Sequence, residues 1–364
     1  MFDRHRIVQQ YIIRENLKLF SLSLTSLVLI YIVVLFFQKL NLFIKYQAPY
    51  FLIFKYLLYK IPEVTFQWSL PYSMLLGVFL TLSTLSRHNE ITAFKAGGIS
   101  LYRITLPLFF IAFFMSLFSF LGNEYLVPST NQGIRYLLDV QVRKEQPSSF
   151  FKNYRIWYRS DHRIFNIQLL DLEKKVLKGF TLYQLDDHFK CVQRIDAQEA
   201  KYINGEWRFY QGALRDFDEN GSIRVTLFKE MEFPLREKWE PFQKIRRDSD
   251  EMSYAELRNY IQKIQSSGYD ATRYLVDLYA KLSHPLLNLI MVLIGIPFAL
   301  KTSRSGGVAL SIGISIFIAF IYGMVYYIFL SFGKSGVLPP LIAVWTPILF
   351  FGLAGIFTLM SVRQ

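Results

Sequence analysis

The stretch YINGEWRFYQGALRDFDENGSIRVTLF, residues 202–228, decides how this chain folds. Apolar and polar side chains alternate through 206–210 and 222–228, the period of a strand with one buried face. Asn204-Gly205 and Asn220-Gly221 divide the runs, and Asn-Gly suits two-residue hairpins because both central residues need positive φ. The same strand-like pattern extends backward through 154–159, 163–170, 179–185 and 189–195, with Ser160-Asp161 and Asp186-Asp187 as further turn signals. Short strands at regular spacing predict an antiparallel sandwich, jelly roll or barrel rather than a βαβ fold.

Outward from this block the chemistry changes. The polar segment from Glu124 to Lys281 is flanked by six apolar stretches at about 19–37, 64–85, 104–123, 282–300, 308–332 and 337–362, none of which contains Asp, Glu, Lys or Arg. A helix that crosses ~30 Å of hydrocarbon needs about 20 such residues at about 1.5 Å each. The fold class is therefore a membrane α-helical protein with an inserted β domain, three spans before it and three after. Mean hydropathy of +0.24 with 19% charged residues agrees with a mixed membrane and water-exposed architecture. The run at 19–37 is longer than a signal-peptide core of about 7 to 15 residues, and no small-x-small cleavage site follows, so it reads as a retained first span.

Lys and Arg in the short loops set orientation. Arg4, Arg6, Arg14 and Lys18, then Arg87, Lys95 and Arg103, then Lys301 and Arg304, and finally Arg363 fall on one side if the spans alternate. That side is expected to be the cytoplasm, with both termini there and the central domain on the opposite face. The net charge of +13 lies beside the apolar runs and within the insert, without the aromatic-interleaved basic stripe of a nucleic-acid binder. Between the first two spans, 46–62 is aromatic and interrupted by Pro49 and Pro62, which predicts a separate interfacial helix, with a plain extension of the second span as the alternative. After Pro241 a charged connector leads to Ser253-Tyr254-Ala255-Glu256, the spacing of a capping box, with Gly268 as a stop.

No catalytic or metal-binding cluster is legible. The five histidines form no HExxH or other paired ligand spacing, no GxxxxGK[ST] loop is present, and no G-x-S-x-G elbow is found. Cys191 is the single cysteine, which excludes an intrachain disulfide. The loop after the second span is more informative. Asn89 can cap a short helix, Glu90 lies in its positive first turn, Lys95 near its negative end, and Gly97 can terminate it. Ile91, Phe94 and Ala93 would lie on one face.

This loop, Asn89 through Ser100, resembles the coupling-helix signature of the LptF/LptG lipopolysaccharide export permeases. Phe36-Phe37-Gln38-Lys39-Leu40, Lys281-Leu282-Ser283-His284-Pro285-Leu286, Ile296-Pro297-Phe298, and Leu338-Pro339-Pro340 with Trp345 and Pro347 are similar to the same family. The last two spans resemble the LptG branch, towards which the chain leans, while 36–40 and the coupling loop are closer to LptF.

The resemblance implies an ABC transporter in the bacterial inner membrane, with one LptF and one LptG over an LptB-type ATPase dimer. It implies three regions: 1–125 with spans one to three and a coupling helix at about 87–98; 126–275, a periplasmic β-jellyroll with a linker helix at about 253–267; and 276–364 with spans four to six. Partners implied are an LptC-type single-span jellyroll protein, an LptA-type periplasmic bridge protein, and lipopolysaccharide itself. The chain would bind no cofactor, with ATP and Mg on the ATPase. Glu90 matches the acidic residue that meets the ATPase, with Arg87 and Lys95 beside it. Lys39, Lys45 and Arg135 resemble by position basic residues that hold lipid phosphates, a role their charge suits. Lys39 and Lys45 placed there simply to snorkel to head groups are the alternative. Spans one and five would be lateral gates, the latter with Gly306, Gly307, Gly313 and Gly323. Ile156, Ile167, Leu182 and Val225 would point inward in the β module, where they would contact acyl chains or, as the alternative for most of them, form plain core. Two other classes fit less well: a lipoprotein-releasing or mechanotransmitting ABC permease places its domain after the first of four spans, and a membrane enzyme lacks a catalytic cluster.

Overall fold

The computed structural model describes residues 2–144, 149–152, 155–160, 162–171, 175–187, 189–203, 206–217, 223–233, 235, 248–266, 270–302 and 308–361. The side chain of Ile156, together with Asp161, Asn204, Gly205, Asn220, Gly221, Pro241, Gly268, Arg304, Gly306, Gly307 and Arg363, lies outside the described residues. Two compact units divide the chain: Met1–Leu137 with Ser249–Gln364, and Leu138–Asp248.

The first unit is helical. α1 spans Phe2–Lys45; α2, Tyr50–Glu63, runs through a π-helical turn at Val64–Ser69 into α3, Leu70–Arg87. α4 is Glu90–Ala96; α5, Leu101–Leu121, passes through a π turn at Gly122–Leu126 into α6, Val127–Tyr136, and a last π turn at Leu137–Val142. α7 (Tyr254–Ser266), α8 (Thr272–Thr302), α9 (Val308–Lys334) and α10 (Pro340–Met360) complete it. Six helices among the described residues are long and apolar enough to cross a membrane: Arg6–Lys45, Tyr50–Arg87, Leu101–Val142, Thr272–Lys301, Ala309–Lys334 and Pro340–Met360.

Three boundaries differ from the sequence reading. From Tyr50 on, the aromatic segment is no separate interfacial helix but the first part of the second span, continuous over Tyr50–Arg87, with 46–49 the turn that precedes it. Pro62 sits inside α2 and lacks the N–H its helix needs. The π turn that begins two residues later absorbs the defect without a break. The third span continues to Val142, a helix of 42 residues or about 63 Å, so 126–137 belongs with the helices and not with the insert. The linker helix α7 also belongs to the helical unit, which narrows the block at 126–275 to a sheet unit of Leu138–Asp248. Its capping box is formed in full: Glu256 N–H donates to Ser253 Oγ at 3.1 Å, and Ser253 N–H to Glu256 Oε2 at 3.2 Å.

Enclosure is uneven among the spans. Within their most apolar windows, 72% of the α2–α3 span and 61% of α8 are buried, against 17% for both α1 and α9. α8 packs on α3, α5, α9 and α10 and forms the middle of the bundle. Its Met291 and Val292 meet Val78, Leu82 and Leu108 in one apolar cluster. Polar side chains beside this cluster pair across helices, Asn16 Nδ2 donating to Thr81 Oγ1 at 3.2 Å and Ser83 meeting Ser311 at 2.6 Å, which meets part of their hydrogen-bonding need in hydrocarbon. Of the span-five glycines, Gly313 faces open space and Gly323 lies beside the Tyr72 hydroxyl.

The second unit is a seven-stranded antiparallel sheet of β1 (Ser149–Lys152), β2 (Arg155–Ser160), β3 (Arg163–Asp171), β4 (Val176–Leu185), β5 (Cys191–Ile203), β6 (Glu206–Phe217) and β7 (Ile223–Glu232), paired in chain order. Every run expected from the two-residue period is a strand, most of them longer than the pattern showed, and β1 precedes them. Phe165, Ile167, Phe180, Leu182, Ile195, Ala197, Trp207 and Phe209 form its core.

One line crosses this sheet. Gln168 and Gly179, Gly179 and Gln198, Gln198 and Gln211, and Gln211 and Lys229 are the successive pairs missing from four ladders, of which only β4–β5 has a further irregularity, a register shift between Gln184 and Leu185. Gly179 and Gln211 have positive φ there. The buried side chains change parity across the line, from Ile195 and Ala197 to Ala200 on β5, and from Phe180 and Leu182 to Leu177 on β4. The sheet thus bends along one transverse crease and keeps apolar side chains inward on both sides of it. Val225, expected inward, is 52% exposed, because it pairs with Arg215 while neighbouring Leu214 takes the core side.

Candidate functional site

The loop between spans two and three is a built feature. α4 ends in a Schellman arrangement: Ile99 N–H donates to Phe94 O at 2.9 Å and Gly98 N–H to Lys95 O at 2.9 Å. Gly98, with φ of 79°, is the left-handed residue this needs, one position later than the expected stop at Gly97. Asn89 precedes the helix with φ of 56° and makes no side-chain cap, so it serves by tolerating the left-handed backbone instead of by capping. Ile91 is buried, and Phe94 and Ile99 pack against the bundle's apolar cluster. Ala93, expected on the same face, is exposed with Thr92 and Ala96.

Glu90 is tied to the first helix. The Tyr11 hydroxyl donates to Glu90 Oε1 at 3.2 Å across 79 residues of sequence. Glu90 is half-buried, Arg87 is exposed at the end of α3, and Lys95 is half-buried in the last turn of α4. Neither cation forms an ion pair with Glu90 among the described residues. The result is a short helix, bolted by apolar contacts and by Tyr11, that presents one carboxylate, two cations and small side chains. Such a surface is suited to docking. Sequence reasoning missed Tyr11, because no spacing rule connects positions so far apart.

The three basic residues expected to meet lipid separate into two kinds. Lys39 is half-buried on α1, and Lys45 ends that helix exposed, its Nζ 5.8 Å from the centre of the Tyr46 ring. Arg135 is engaged within the protein: its guanidinium is 3.0 Å from Glu251, and neighbouring Gln132 donates to the Glu251 carbonyl at 2.8 Å. The structure brings Lys39 and Lys45 onto one helix and places Arg135 in an internal clamp on the segment before α7.

Comparison with known proteins covers all of these parts. The family described as Lipopolysaccharide export system permease LptF/LptG matches residues 10–361. The Escherichia coli protein named Lipopolysaccharide export system permease protein LptG is 23% identical over 314 residues, 84% of each chain. The Haemophilus influenzae protein of the same name is 21% identical over 263 residues, 70% of this chain and 71% of its own. The matched region takes in all six apolar helices, the inserted sheet and the α4 loop, and the chain belongs to the LptF/LptG family of lipopolysaccharide export permeases.

Proposed function

We propose that this chain, a multi-pass inner-membrane permease subunit of a lipopolysaccharide export ABC system, works as the LptG-side half of the channel beside an LptF-type paralogue. In this reading α4 docks on an LptB-type ATPase dimer, where ATP and Mg reside. Both termini and α4 face the cytoplasm, and the sheet unit is a periplasmic jellyroll that receives lipid, continues through LptC- and LptA-type jellyrolls, and carries it towards the outer membrane. The family match across nearly the whole chain is the observation that carries this function. The anchored α4 supports the docking role, since a lever must be rigidly joined to the bundle it moves. The low enclosure of α1 and α9 supports their use as lateral gates, because helices with few internal contacts separate at least cost. Among the described residues β1 and β7 are the outermost strands of the sheet, which supports its end-to-end extension.

Lys39 and Lys45 are the proposed phosphate contacts. Lys39→Glu should abolish lipid crosslinking from a photoreactive residue placed at a neighbouring position of α1 while leaving ATPase association intact. Undiminished crosslinking rejects the contact. Copurification of the intact complex with mass spectrometry of its subunits and lipid tests the function as a whole: recovery without an ATPase subunit and without lipopolysaccharide overturns it.

A further inference from the structure

The resembling stretch Lys281 to Leu286 has no part in the function above, yet it leads into a cavity. A half-open space of about 190 Å³ lies at the end of the bundle where α5 runs out and α8 begins. Asp277, Lys281 and His284 line it from one face of α8, Lys334 from the end of α9, and Asn123 from the π turn after α5. Asp250, just before α7, lines it as well. Trp68, in the π turn after α2, lies against Tyr327 at 5.9 Å between ring centres and 16° between planes, and both rings face the space. Two of the three π turns thus converge on it, a feature often found where a helix is shaped for a ligand.

The charges divide into a satisfied pair and an unsatisfied one. Lys334 Nζ is 2.7 Å from Asp277 Oδ1, and Ser249 Oγ donates to the other carboxylate oxygen. Lys281 and the Asp250 carboxylate line the same cavity, and among the described residues neither has a hydrogen bond or ion pair in contact. Asp250 is held in place through its carbonyl, which accepts from Asn131 Nδ2 at 3.3 Å. Burial pushes the Asp250 carboxyl up from its ordinary value, and the positive charge of Lys281 pulls only partly back. Asn123 is 8% exposed; its Nδ2 donates to Ser119 O at 2.9 Å, which leaves Oδ1 a buried acceptor without a donor. His284 Nδ1 is likewise buried, and neither atom has a hydrogen-bond partner among the described residues.

We propose that this cavity binds the phosphoethanolamine head group of a membrane phospholipid. Asp250 and Lys281 bring opposite charges to one cavity, so a group that carries one charge of each sign meets both. Its ammonium supplies donors to the Asp250 carboxylate and to Asn123 Oδ1, beside rings whose faces attract cations. Its phosphate takes the charge of Lys281. The depth is that of a head group, since Lys334 is the last residue of its span and Asp277 lies in the second turn of α8. Pockets of ionisable side chains between membrane helices are the expected form of a lipid head-group site. The inference rests on the membrane-spanning architecture and not on the identity of the transported lipid.

The full-length protein, with the subunits that copurify, is exchanged into bilayer discs of equal parts phosphatidylethanolamine, phosphatidylglycerol and phosphatidylcholine, free of glycolipid, and the retained lipid is identified by native mass spectrometry. Phosphatidylethanolamine should be enriched about tenfold over the other two, the value of one charged hydrogen-bonded contact. Its excess over phosphatidylcholine reads the N–H donors. Lys281→Met and Asp250→Asn should each reduce the enrichment to the bulk ratio, and Lys281→Arg should keep it. Asn123→Leu, which removes an acceptor without changing charge, should lower the excess over phosphatidylcholine if a charge variant fails to elute as a single species. Retained lipid of bulk composition in the parent protein, or enrichment unchanged in these variants, overturns the proposal and leaves the cavity a hydrated space.

Discussion

Glu90→Ala is expected to uncouple ATP hydrolysis from lipid export in the assembled transporter while Tyr11→Phe leaves coupling nearly intact. The two substitutions separate the roles open to this carboxylate. Tyr11→Phe removes the hydrogen bond that the Glu90 side chain accepts among the described residues, worth roughly 1 kcal/mol, but leaves Ile91 and Phe94 in the apolar cluster and so keeps α4 on the bundle. Glu90→Ala also removes the charge presented to a partner, and truncating a charge paired across an interface costs about 2 kcal/mol or more, a factor above tenfold in binding. Glu90→Lys should be worse than Glu90→Ala, because it adds repulsion. The measurements are ATPase copurification and lipid-stimulated hydrolysis in the reconstituted complex. If Tyr11→Phe and Glu90→Ala prove equally mild, Glu90 is only a fastening between α4 and α1.

Gly212→Ala is expected to unfold the sheet unit and leave the helical unit in the membrane. Gly212 lies beside the transverse crease, paired with Ala197 on one side and Phe228 on the other. A Cβ placed there would stand 2.1 Å from the backbone oxygen of Asp196 and 2.4 Å from the Phe228 ring. The first of these is main chain in a ladder and has no rotamer to escape into, so β5 and β6 must separate. The destabilisation should be roughly 3 kcal/mol or more, at the upper end of overpacking effects. The same strands carry the outer-face cluster in which Arg194 and Arg215 both reach Asp196, so displacement of the Asp196 backbone loosens these ion pairs too. Limited proteolysis of the membrane-embedded protein should cut within Leu138–Asp248 at a far lower protease concentration than in the parent, with the spans still protected. A cleavage pattern like that of the parent would show that the crease can open to admit a methyl group.

The candidate docking site was legible to the level of its residues and no further. Glu90, Arg87 and Lys95 stand out because a short capped helix between two spans is visible in local patterns. What fastens it, Tyr11, is not, since that bond joins positions 79 apart. For the lipid-facing candidates, too, the internal partner is invisible in the sequence. Arg135 has the right charge and an apt place in the chain, but Glu251 claims it, a pairing that depends on how the segment before α7 folds back on α6.

Hydropathy, turn pairs and the two-residue period determined on their own that six helices flank an antiparallel sheet, because solvent transfer and strand alternation act over a few neighbouring residues. Tertiary structure decided the rest. It joined 50–62 to the second span through a π turn, lengthened the third span, and turned Val225 outward. It also brought Lys281 and Asp250 to one cavity. Each of those outcomes depends on where distant backbone and side-chain groups meet their partners, and that is settled only when the helices and strands pack.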